Sequence, residues 1–281
     1  MKYSIHKRGE IAMKNILKIM LMMITIYTIA GSAVYAAEIP VSDQDQLITS
    51  CDWTEISNLQ DEMKKEEPDA TIDYDKALKV YVDCNLIKLQ TADTKKLTSA
   101  LESANYVWVI PFKMEKTYGM FTVAKGLPLS EEAKSVLTKA EQEEVKNHAG
   151  KWMITETAEH TVEPYYDILL EKREALSDCT RVVLVGSQPG MRQPVALGMD
   201  DETARIWISL GYQYPVMEKI PETQNVESGV YSFDSVAEIS DTYIEDSEVS
   251  TGAGVQSRSS MKYVAGIGII VIGSILILSV L

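Results

Sequence analysis

Few residues in this chain have the types and spacing for chemistry, and they are scattered. His160 stands among Glu156, Glu159 and Glu163, a donor set that in the right geometry would hold zinc or act as a base. The spacing argues otherwise. Neither H-x-x-x-H nor H-E-x-x-H occurs, and adjacent strand residues point to opposite faces, so a solvated surface is the simpler reading. His148 falls near an expected helix end, where a cation is favoured.

The cysteines are Cys51, Cys84 and Cys179, separated by 33 and 95 residues. That is not the paired spacing of a zinc site. In an oxidising compartment one disulfide and one free thiol would result. Cys84 and Cys179 each border an expected strand and form the favoured pair; three reduced, mostly buried thiols remain the alternative.

The segment Gly186-Ser187-Gln188-Pro189-Gly190-Met191-Arg192 joins two strong strands. Its glycines flank Ser187 at the wrong spacing for a nucleophile elbow, and no helix follows. It is a long hairpin loop, and as a candidate binding loop it would offer Gln188 and Arg192 as polar contacts. No phosphate-cradling or dinucleotide-binding pattern occurs. Asp and Glu total 41, yet sequence alone sets no two of them about a glycosidic bond. No catalytic, cofactor-binding or metal-ligating residue is assigned, and no cofactor is implied.

Periodicity supplies the elements that would carry these residues. Trp53, Ile56, Leu59 and Met63 recur at helical spacing, with Asp52 as cap and Pro68 as stop. Strands are expected at 77–82, 106–112 and 119–124, with a helix capped by Asp93 or Thr94 between the first two. Ser130 opens a helix to about Asn147, ended by Gly150. A strand at 151–158, a helix at 165–176 and strands at 181–185, 194–199 and 204–210 follow. The expected class is α+β: a mainly antiparallel sheet with helices on one face. Strand-helix-strand-strand occurs twice, about 75 residues apart, which allows two βαββ units.

The ends differ from the middle. Lys2, Lys7, Arg8, Lys14 and Lys18 precede an apolar run from Ile19 to Ala30 and then small residues to Ala37. This is the order of a secretory signal cleaved after Ala36. Residues 263–281 carry no charge and as a helix would span about 28 Å, enough to cross a bilayer core. Gly252, Ala253 and Gly254, a spacer and the apolar tail also fit exchange for a lipid anchor. The expected domains are a signal peptide (1–36), an extracytoplasmic α+β domain (37–221), an acidic Ser/Thr-rich disordered stalk (222–260) and a transmembrane helix (261–281).

The whole chain has 281 residues and a formal net charge of −14. Residues 1–36 hold five basic residues and one acid, leaving 22 basic against 40 acidic, a charge of −18. Such a surface repels nucleic acid and anionic lipid heads. The expected partners are the membrane, through the C-terminal helix, and another envelope protein or a cationic ligand. A membrane-anchored binding domain of the cell envelope is therefore the leading expectation. A carboxylate-based envelope hydrolase without local motifs is the alternative.

Overall fold

The run Tyr106–Lys113 is buried at six of its eight positions, so side chains pointing both ways along it must meet apolar cover. It forms strand β3, and the hairpin partner Tyr118–Lys125 (β4) pairs with it from end to end. A computed structural model describes residues 39–160, 163–186, 188, 191, 194–211, 217–220 and 225–239. The expected signal peptide, the C-terminal span and Arg192 lie outside them. No helix among the described residues is long and apolar enough to cross a membrane.

The remaining strands are β1 (Thr71–Ile72), β2 (Leu78–Tyr81), β5 (Trp152–His160), β6 (Arg181–Val185), β7 (Val195–Met199), β8 (Ala204–Ser209), β9 (Asn225–Glu227) and β10 (Val230–Ser232). They form one sheet in the order β5-β4-β3-β2-β6-β7-β8-β10-β9, with β1 beside β3. Every pairing of these strands is antiparallel except β2 with β6. The α+β class with a mainly antiparallel sheet is thus observed.

Helices lie on both faces, not one. Tyr165 and Leu169 of α6 (Tyr165–Glu171) join Val80, Val109, Leu184 and Ile208 on the first face. Leu97 and Leu101 of α3 (Thr94–Ser103) join Val183, Val185 and Trp207 on the second. Further along that second face, Trp108, Ile110 and Phe121 are covered by Leu47, by Ile56 of α1 (Trp53–Ile56) and by Met63 of α2 (Gln60–Glu66). The reason was present in β6: Val182 to Val185 are all buried, and a strand apolar on both sides needs cover on both.

The two βαββ units are not equivalent. In the first, β2 and β3 are neighbours. In the second, β5 sits at the sheet edge beside β4, while β6 lies at the centre beside β2. The order of elements repeats; the pairing does not.

Two boundaries also differ from expectation. The helix expected from Ser130 is broken into α4 (Glu131–Val136) and α5 (Lys139–His148), because Leu137 is extended and Thr138 recaps the chain with Glu141 in a reciprocal capping box. The stalk expected from Glu222 begins too early: residues 225–239 belong to the fold. Gly229, at φ 75°, turns β9 into β10, and a helix follows at 233–239. Val230, Phe233 and Val236 are buried there. Residues 240–260 of the stalk lie outside the described residues.

Candidate functional site

The chemically richest part of the fold is a seam. β2 and β6 share only Val80↔Leu184 and Tyr81↔Val185. Toward their amino ends they part, and the chain from Pro40 to Leu47 enters the gap. Val182 N donates to Pro40 O at 2.8 Å, Gln46 bridges to Leu78, and Leu47 N reaches Ala77 O at 3.5 Å. This segment passes from Ile39 and Val41 in one core layer to Leu47 in the other. Only where two strands part can a chain cross a continuous sheet.

Asp45 stands at that crossing and is 2% exposed. Its Oδ2 accepts from Ser42 Oγ at 2.7 Å and from the Arg181 guanidinium at 2.8 Å. Its Oδ1 accepts from Tyr81 Oη at 2.7 Å and lies 3.8 Å from Lys79 Nζ. Lys79 comes from β2 and Arg181 from β6, so one carboxylate ties both halves of the sheet to the inserted segment. Lys79 Nζ also lies 4.5 Å from the Tyr106 ring centroid and 5.2 Å from that of Trp108, within cation–π range. Tyr106 Oη and Trp108 Nε1 donate in turn to Asp52 Oδ2, at 2.9 and 3.0 Å. Asp52, expected as a helix cap, makes no side-chain capping bond; its carboxylate holds the N-terminal segment against β3 instead.

Burial, reinforced by the Asp45 charge and hydrogen bond, pushes the Tyr81 phenol far above its ordinary 10.0. Burial and the hydrogen bond to Asp52 do the same for Tyr106. Both phenols therefore stay protonated as donors. Both oxygens of Asp45 and Oδ2 of Asp52 accept from internal donors, so the network fastens the N-terminal segment to the sheet.

Gln188 is not a surface contact. It is 3% exposed; its Oε1 accepts from Leu86 N at 3.1 Å, and its Nε2 donates to Cys84 O at 2.6 Å and Gly186 O at 2.9 Å. The amide thus ties the exit of β2 to the exit of β6. Its intended companion Arg192 is outside the described residues.

The expected Cys84–Cys179 disulfide is not formed; all three cysteines are free. Cys84 packs with the Leu97 cluster and Cys179 with the Leu169 cluster, on opposite sides of the sheet. Burial pushes the Cys84 thiol up to about 12 and the Cys179 thiol up to about 11. We expect a thiol reagent at pH 8 to label only exposed Cys51 in the native protein and all three cysteines in denaturant without reductant. A single label in denaturant would restore the disulfide.

Glu156 and Glu159 fall on opposite faces of β5, across from Thr122 and Gly119. Among the described residues no group of His, Cys, Asp or Glu is arranged to hold a metal ion; the His160 side chain is outside them.

The open edge of β5 is the second notable feature. Among the described residues its partner is β4 alone, and the register slips between Thr122 and Val123, where Thr155 is the extra residue. Thr155 Oγ1 donates to Thr122 O at 3.1 Å. Beyond this bulge, Glu156 to His160 pair regularly with β4. Among the described residues no strand pairs with the outer side. An open edge presents a row of backbone donors and acceptors to a further strand.

Comparison with protein-family models, curated proteins and solved structures finds no match. Geometry therefore carries the functional reading. Sequence reasoning missed Asp45, Lys79 and Arg181. Lys79 alone left a signal, as a charge inside the otherwise apolar Leu78–Tyr81 strand. Asp45, in a polar stretch, reads as solvated loop.

Proposed function

We propose that this chain is a membrane-tethered domain outside the cytoplasm that binds another envelope component along the edge of β5. The observation that carries this reading is the position of the two sheet edges. β5 forms one. β9 and β10 form the other, with the helix at 233–239 following directly, and from that side the chain continues toward the apolar run 263–281. Seven strand spacings separate β5 from β10, on the order of 30 Å. Anchored by its C-terminal run, the domain would hold its open edge away from the bilayer. The acidic composition of the exported part favours a cationic partner over nucleic acid or an anionic lipid surface. The hydrolase alternative gains no comparable support, since Asp45 and Asp52 are already occupied by internal donors.

The test is made in intact cells with the full chain. A photo-crosslinking side chain at Glu159 should give a discrete adduct that the same group at Glu174 does not. The protein should sediment with membranes and be cut by protease added from outside. Equal labelling at both positions, or full-length protein in the cytosolic fraction, would overturn the proposal.

A further inference from the structure

We infer that the edge of β5 takes an extended, lysine- or arginine-bearing polypeptide segment as an added strand. The inference rests on the reading of β5 as the contact edge and names the chemistry of what binds there. Strand addition uses backbone hydrogen bonds for affinity and side chains on alternate faces for selectivity. The Thr155 bulge interrupts the ladder, so the regular stretch open to an added strand is Glu156 to His160.

That stretch is acidic on both faces. Glu156, across from Thr122, lies on one; burial pushes its carboxyl above the ordinary 4.5, and the hydrogen bond from the Thr122 hydroxyl partly offsets that and favours the charged form. Glu159 lies on the other, together with Glu66, whose Oε2 accepts from Thr157 Oγ1 at 2.6 Å. Glu163 follows the strand and is exposed. On β5 and β4 the cations are at the opposite end: Lys151 precedes β5, and Lys125 pairs with Glu55 at 3.9 Å and lies over the Trp152 ring. At this end the cation is Lys113 of β3, set back from the edge behind β4, where it lies over the Tyr118 ring. An added strand therefore meets negative charge on both faces over the 156–160 half. A strand carrying basic residues on both faces is complementary there, and opposite charges directly across a pair of strands are stabilising. A second copy of β5 would bring glutamates against glutamates and is disfavoured by the same rule.

The probe is the peptide acetyl-Thr-Lys-Val-Lys-Lys-Val-Lys-Thr-amide, fluorescently labelled, added to the full chain in neutral detergent micelles near physiological salt. We expect saturable binding and slowed amide exchange within 156–160. Binding should fall at least tenfold with alternate backbone nitrogens methylated, which preserves charge but blocks strand addition. It should fall at least tenfold for the Glu156→Lys/Glu159→Lys variant, folded as judged by circular dichroism. It should vanish when glutamate replaces lysine in the peptide. Undiminished binding of the methylated peptide, or of the variant, overturns the inference. So does no binding of the parent peptide; in that case position-specific crosslinking at Glu159 in cells would still sustain the broader reading with a partner of different chemistry.

Discussion

Replacing Asp45 with alanine is expected to lower stability by about 3–5 kcal/mol, the cost of removing one partner from a buried ion pair. Arg181 would lose its carboxylate at 2.8 Å, Lys79 its counter-ion at 3.8 Å and Tyr81 its acceptor at 2.7 Å. Two cations would then face each other across the seam between β2 and β6 without an anion between them. Asp45→Asn keeps the size and one acceptor oxygen but not the charge, so its loss should be smaller. Denaturant titration of the full chain in micelles, followed by tryptophan fluorescence, measures both. Limited proteolysis should cut Asp45→Ala first near residues 40–50, because that segment is what Asp45 fastens. A loss below about 1 kcal/mol, the scale of a surface pair, would mean that the carboxylate is not what joins the two halves.

Trp108→Ala is expected to cost about 3–5 kcal/mol, the usual range for deleting a large buried aromatic side chain. Trp108 is fully buried at the centre of the layer beneath the N-terminal helices, beside Ile110 and Phe121. The change also removes the Nε1 donor from Asp52, at 3.0 Å, and one of the rings facing Lys79. Trp108→Phe separates the two contributions. It retains most of the ring and strands one acceptor that still has Tyr106, so about 1–3 kcal/mol is expected. Equal losses for the two variants would show that the Asp52 hydrogen bond, not ring volume, dominates.

How much was legible in the sequence depends on the range of the interaction. The strands at 106–112, 119–124, 181–185 and 204–210 stand almost where the apolar runs put them, because a buried strand announces itself within five to eight residues. Asp93 caps α3 as its type and position indicate, accepting from Lys95 N and Lys96 N. The Thr138–Glu141 capping box is equally local, but the helix-favouring residues on either side of it read as one continuous helix. The stalk expectation for 222–260 departs from the structure for a similar reason: glutamates and serines dominate composition there, while buried Val230, Tyr231 and Phe233 carry the packing.

By itself the sequence determined the kind of structure: an α+β domain with a mainly antiparallel sheet, the positions of β2 to β8 and most of its helix starts. Those follow from hydrophobic period and capping, which act over one or two turns of chain. Only the tertiary structure decided that both faces are covered, that β6 enters beside β2, that Gln188 turns inward, and that Cys84 and Cys179 lie on opposite sides. It also brought Asp45 to Arg181 across 136 positions. No local pattern encodes such a meeting, because whether a carboxylate is solvated or buried depends on which strands part to admit it.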